Sequence, residues 1–175
     1  MTRVGRIQLI AYDPTWPVLF QNEASRIRGV LGDRALRIEH VGSTSVPGLA
    51  AKPVIDTLLV VTDSGVEGQY LPALEAAGYQ LRIREPDWYQ HRLLKGPDTD
   101  TNLHVFSSGC EEIGRMLLFR DWLRTNTADR DLYARAKQAL ALHEWNQVQD
   151  YADAKTAVVQ EILARARIRK NLRDY

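Results

Sequence analysis

Glu39-His40-Val41-Gly42-Ser43-Thr44-Ser45-Val46-Pro47-Gly48-Leu49-Ala50-Ala51-Lys52-Pro53-Val54-Ile55-Asp56 is the stretch on which the reading of this chain turns. Residues 36–41 alternate apolar and polar and predict a strand that runs into Gly42-Ser43. A loop of Gly, Ser, Thr and Pro follows over 42–53. Residues 54–61 are then continuously apolar except for Asp56 and Thr57. Their β-branched content and shortness predict a strand buried on both faces. Glycine lets a phosphate come close to the backbone, whose amides and neighbouring hydroxyls can then bind its oxygens. Lys52 adds a candidate cation.

Two familiar loops are excluded. Five residues separate Gly42 from Gly48, and Lys52 has no adjoining Ser or Thr, so this is no Walker A sequence. Ser45 lies three residues from either glycine, so there is no nucleophile elbow. By composition alone a loop of this kind is more often only a loop. Asp56 changes the weighing, because a carboxylate inside an apolar strand is costly unless paired, hydrogen-bonded or bound to metal. Strand periodicity places Asp56 and Leu58 on one face, with Ile55 and Thr57 on the other.

Outward from this centre, residues 7–12 predict a short first strand stopped by Asp13-Pro14, and a helix follows to Leu31 with Gly32 just past its end. Residues 64–77 predict a helix ended by Gly78. Residues 79–84, 88–94 and 102–106 predict three successive strands, with Gly96-Pro97-Asp98 as the last turn. From Glu111 the pattern becomes helical: 111–125, 129–142 and 150 to about 172. The expectation is an α/β (α+β) fold, a mixed β-sheet flanked by helices with a C-terminal helical segment, in a single domain over 1–175.

Composition narrows the class of function. The 175 residues carry 23 Lys and Arg against 22 Asp and Glu, a net charge of +1, so any anion site must be local. Cys110 is the one cysteine, which excludes an intrachain disulfide and fits a reducing compartment. The first residues lack the apolar run of a signal peptide, and no stretch approaches a membrane span. A cytoplasmic protein is expected, with no membrane partner.

The order strand, Gly-Ser, gap, strand-borne acid resembles the signature of the nucleotidyltransferase superfamily: hydrophobic-Gly-(Gly/Ser), about nine to thirteen residues, then Asp-hydrophobic-(Asp/Glu)-hydrophobic. Here twelve residues, 44–55, precede Asp56. The resemblance implies nucleotide phosphates on the Gly-Ser loop and Mg²⁺ or Mn²⁺ on the acids. Leu58 stands where the second acid is expected. A third acid belongs on a later strand, and Leu103-His104-Val105 offers histidine at that place, a residue able to ligate metal or exchange protons. Arg92 and Lys95, on the preceding strand, are candidate phosphate contacts, weighed against ordinary exposed cations. His40 adjoins the loop and orients it, whereas His91 and His143 show no metal-ligand spacing with Cys110. The cations Arg165, Arg167, Arg169, Lys170 and Arg173 read as a solvated helix end rather than a nucleic-acid patch.

Over a longer span the resemblance is closer. Tyr12-Asp13-Pro14-Thr15-Trp16-Pro17, the block Ile38 to Asp56, Asn102-Leu103-His104-Val105, Leu117-Leu118-Phe119-Arg120-Asp121 and Tyr151 through Lys155 resemble the GrpB family of bacterial proteins. The resemblance implies the nucleotidyltransferase fold without a known reaction, and some members are fused to dephospho-coenzyme A kinase. Carried over, the site comprises Gly42, Ser43, Thr44, Asp56 and His104, with Asp56 and His104 as metal ligands and catalytic groups, and Lys52, Arg92 and Lys95 on the anion. The expected function is transfer of a nucleoside monophosphate from a nucleoside triphosphate to an acceptor. The alternatives are a nucleotide- or anion-binding module that has lost transfer, and a scaffold in which loop and Asp56 serve folding alone.

Overall fold

A computed structural model of the chain describes residues 7–143 and 148–173. The N-terminal segment read above for a signal peptide lies outside the described residues up to Arg6, as does Tyr175.

Five strands form one mixed sheet in the order β1-β2-β5-β4-β3: β1 Arg37–Val41, β2 Ile55–Val61, β3 Gln80–Glu85, β4 His91–Lys95 and β5 Thr101–Ser107. β2 and β5 run parallel at the centre, and every other pairing is antiparallel. Among the described residues five α-helices accompany them: α1 Trp16–Leu31, α2 Leu71–Ala76, α3 Glu111–Thr125, α4 Thr127–Ala141 and α5 Val148–Arg173. Asn126 caps α4, its side chain accepting from the Asp129 amide.

Three expectations are corrected. Residues 7–12 make only an isolated bridge, Ile10 with Ala51. Residues 64–77 are helical only at a 3-10 turn, Glu67–Gln69, and in α2. Ser64 is instead held at the strand exit, its amide donating to Ser107 Oγ and its hydroxyl to the Gln90 carbonyl. Pro72 then fixes where α2 begins. β4 also starts at His91 rather than Trp88, because Trp88 to His91 is a tight turn closed by the His91 amide on the Trp88 carbonyl at 3.0 Å. Its central residues, Tyr89 and Gln90, both have positive φ, 55° and 51°. Such turns favour Asn-Gly. Holding two ordinary residues there costs on the order of 1–3 kcal/mol each.

The two faces of the sheet are covered differently. Ile38, Ile55, Leu59, Leu94, Leu103 and Val105 pack under α1 and α2 with Trp16, Ile27 and Leu74. On the opposite face Val41, Leu58, Val60 and Phe106 pack against Leu117 of α3. Register carries Asp56, Asn102 and His104 to this second face, beside the α3 cluster. No described helix is long and apolar enough to cross a membrane.

Candidate functional site

Asp56 sits near the start of β2, opposite Val41 at the end of β1. The chain must leave β1 past its carboxylate, and Gly42 makes that exit with φ +73°. A Cβ on Gly42 would stand 2.5 Å from Asp56 Oδ2. Glycine is therefore required here twice, for its backbone angle and for the room it leaves. The loop then tightens into a 3-10 turn over Ser43–Ser45. Thr44 is buried, and its hydroxyl donates to the Val54 carbonyl at 3.0 Å and meets His40 Nε2 at 3.0 Å. With that hydroxyl hydrogen committed to Val54, His40 Nε2–H is the donor of the second bond. His40 also stacks on Phe20, with ring centroids 4.9 Å apart. Its burial, and next the nearby Arg124, pull its pKa down to about 4, so it stays neutral. His40 and Thr44 thus fix the loop to the sheet.

A cavity of about 200 Å³ opens beside Asp56, and Ser43, Lys52, Asn102, Lys137, Tyr151 and Lys155 are among its lining residues. Two of its lysines come from the C-terminal helices. Lys137 of α4 is buried, donates to the Ala50 carbonyl at 2.7 Å and lies over the Tyr133 ring at 5.0 Å. Lys155 of α5 lies over the Tyr151 ring at 4.8 Å. Burial, reinforced by Lys155 and Lys52, pushes the Lys137 amine down to about 7. Burial and Lys52 lower Lys155 as well, against the pull of Asp56. Burial pushes the Tyr133 hydroxyl up to about 12, a shift that its hydrogen bond with Ser43 opposes. Asp56 is the single carboxylate on this wall. The pocket thus gathers three lysines around one carboxylate.

On the other side of Asp56 a line of hydrogen bonds crosses the sheet. Glu85 Oε1 meets His91 Nδ1 at 2.8 Å, His91 Nε2 meets His104 Nδ1 at 3.1 Å, and His104 Nε2 meets Asp56 Oδ1 at 3.2 Å. A carboxylate only accepts, so Glu85 takes the Nδ1–H of His91. A neutral His91 then accepts from His104 Nδ1–H. That leaves the lone pair of a neutral His104 Nε2 facing the Asp56 carboxylate, two acceptors that need a proton or a cation between them. Desolvation by burial lowers the His91 pKa, with Glu85 opposing.

One imidazole and one carboxylate do not make a two-metal centre. Among the described residues no group of three or more His, Cys, Asp or Glu could hold a metal ion. Leu58, at the place of the second acid, is fully buried against Phe106 and Leu117. Other acids do not come round to replace it. Glu39 is tied to Arg120 and Arg37, Asp98 pairs with Arg26, and Asp87 is exposed on the β3–β4 connection. A pair of Mg²⁺ ions, each demanding near-octahedral oxygen ligands, does not fit these residues.

The structure brings Gly42, Ser43, Thr44, Lys52, Asp56 and His104 together, and leaves Arg92 and Lys95 outside. Arg92 pairs with Val105 and so projects to the α1/α2 face, where it meets Glu67 at 3.3 Å. Lys95 bonds Asp100 at 2.7 Å. Neither lines the cavity. Lys137, which the sequence reading missed, and Tyr151 and Lys155, which it quoted for the family resemblance without giving them a place in the site, line the cavity instead. His91 also joins, through strand register alone.

The family model described as GrpB protein matches residues 6–165. A UPF0157 protein of Halalkalibacterium halodurans is 69% identical over 91% of this chain and 82% of its own length. A dephospho-CoA kinase of Mycolicibacterium paratuberculosis is 28% identical over 91% of this chain and 46% of its own. The crystal structure of conserved protein GrpB from Enterococcus faecalis superimposes with TM-score 0.80 at 31% identity, covering 91% of this chain and 96% of that one. A cytoplasmic RNA terminal U-transferase gives TM-score 0.52 at 12% identity, over 74% of this chain and 44% of that one, a likeness of fold alone. The mixed sheet, the Gly42-Ser43 exit and Asp56 on its face thus sit in a nucleotidyltransferase-like fold, and the chain belongs to the GrpB family.

Proposed function

We propose that the cavity holds the phosphates of a nucleoside triphosphate and that the chain transfers its nucleotidyl group to an acceptor hydroxyl. The observation that carries this reading is the convergence of Lys52, Lys137 and Lys155 on a wall whose single carboxylate among the described residues is Asp56, with Ser43 on the same wall. Lysines neutralise the charge that grows on a departing pyrophosphate, the work usually shared with metal ions. The acceptor oxygen bonds to the α-phosphorus as the bond to the bridging oxygen breaks and pyrophosphate leaves. The acceptor proton passes to the Asp56–His104 pair, whose Oδ1 and Nε2 stand 3.2 Å apart and take one proton between them, while His91 holds His104 Nδ1–H.

The buried Leu58 favours a second reading, binding without transfer, because it withholds the carboxylate that two-metal chemistry employs. Titration of ATP, GTP, CTP and UTP by calorimetry, each with Mg²⁺ and with chelator, separates these readings when paired with pyrophosphate release in the presence of hydroxyl acceptors (a small alcohol, a nucleoside and an RNA 3′ end). Binding that survives the chelator, falls at least tenfold in Lys137→Met and leads to pyrophosphate release lost in His104→Ala supports transfer. Binding without release supports the second reading, and absence of binding by all four triphosphates refutes both.

A further inference from the structure

The far end of the His91–His104 line is built unlike the lysine end. The turn joining β3 to β4 holds Tyr89 and Gln90 at positive φ. It presents two large aromatic side chains to solvent, Trp88 at 41% and Tyr89 at 44% exposure. Trp88 is edge-on to His91 with ring centroids 5.2 Å apart, and His91 stacks on His104 at 5.3 Å. Trp88 also meets Phe106 at 5.7 Å and Tyr89 at 5.5 Å. Ring contacts therefore run from the exposed turn through the buried His91 to His104 beside Asp56. A turn that accepts strained residues where Asn-Gly would relax it retains those side chains for something other than the turn itself.

Charge selects what this surface would take. Tyr89 reaches toward Glu111, at 3.4 Å, in the acidic first turn of α3 with Glu112. Glu85 closes the His91 line, and Asp87 is exposed on the same connection. This end repels phosphate, whereas the lysine end attracts it. A flat ring without charge suits the aromatics, because stacking on a side-chain ring needs only a π face.

We propose that Trp88 and Tyr89 form the acceptor subsite of the cleft, stacking the base of a nucleoside whose hydroxyl is directed toward His104. The assignment rests on the transfer reading above for the word acceptor, while the stacking itself is independent of it. Trp88 and Tyr89 are binding residues, and the lysine cavity retains its own ligand without them.

The full chain labelled with 5-fluorotryptophan, its Trp88 resonance assigned from Trp88→Phe, is titrated with adenosine, guanosine, cytidine and uridine and with AMP while ATP is present. At least one nucleoside shifts the Trp88 resonance, AMP binds this subsite more weakly than adenosine, and Trp88→Ala weakens the nucleoside about tenfold, as loss of a stacking partner does. The ATP affinity stays within twofold. A second variant, Tyr89→Asn with Gln90→Gly, relaxes the turn, raises the melting temperature and still weakens the nucleoside, which a purely structural role would not produce. The proposal is overturned if none of the four nucleosides moves Trp88, or if both variants bind them as the native chain does. Failure of ATP to bind, with Trp88 still responding to nucleoside, would instead overturn the transfer reading and leave the subsite standing.

Discussion

Lys137 should take up a proton when phosphate enters the cavity. Its amine stands at about 7 because it is buried and faces Lys155 and Lys52, with the Tyr133 ring beneath it and the Ala50 carbonyl as its acceptor. At pH 8 a group of that pKa is about nine-tenths neutral, and at pH 7 about half. A polyanion beside it reverses the penalty of the neighbouring lysines and restores the charge. Binding at pH 8 then adds most of one proton to Lys137, falling toward zero well below pH 7, with Lys155 adding in the same direction. Calorimetry of ATP binding in Tris and in HEPES, buffers of different ionisation enthalpy, reads this number as the difference in heat. Lys137→Met should remove most of it. Equal heats in the two buffers at pH 8, or uptake unchanged in the variant, would refute the reasoning.

The stability of the unliganded protein carries the same signature. A lysine whose folded pKa lies below its unfolded 10.5 is a burden when charged, so this contribution to stability rises with pH between about 7 and 10.5. Lys137→Met should flatten that rise in urea denaturation and stabilise the protein near pH 7 by about 1–3 kcal/mol. Gly42→Ala should cost about 1–3 kcal/mol through the positive φ, and should also displace the Asp56 carboxylate from His104, which pyrophosphate release would report as lost turnover. Leu58→Asp, which restores the superfamily pattern on paper, should destabilise by several kcal/mol and fail to gain Mg²⁺-dependent transfer, because that position is fully enclosed by apolar side chains. Asp129 receives Arg165 at 2.6 Å and the Trp122 indole at 2.7 Å, which hold its carboxyl below 3.8. Its stabilising effect is therefore present above that value and lost as pH falls through the folded pKa, and Asp129→Ala should remove about 2 kcal/mol at pH 7, measured by urea midpoint.

Residues 38–56 made the centre of the fold legible because the physical demands there are local. A strand must end where glycine begins, and an acid in an apolar strand must have a reason. The three strands of the β3–β4–β5 meander and its Gly96-Pro97-Asp98 turn were legible too, but the tight turn at Trp88–His91 was read as strand, because neither Tyr89 nor Gln90 is a residue that marks positive φ. What escaped the sequence depends on distance or on parity. Arg92 and Lys95 are three residues apart on one strand and so cannot share a face, and the register sends Arg92 to the α1/α2 side. Lys137 and Lys155 lie 81 and 99 positions beyond Asp56, and only the docking of α4 and α5 makes them its neighbours. The helix expected over 64–77 was undone by tertiary hydrogen bonds of Ser64 to Ser107 and Gln90, which no local propensity encodes.

The cavity borrows its walls from opposite ends of the chain, loop and sheet from the first half and lysines from the last two helices. A growing polypeptide could assemble the β1–β5 sheet while the lysine wall was still being synthesised, since domains form as their segments emerge. Until residue 155 has left the ribosome and α5 has docked, Asp56 stands beside an incomplete pocket. A chain clipped before α5 could therefore form its whole sheet and still lack the Lys155 and Tyr151 side of the cavity.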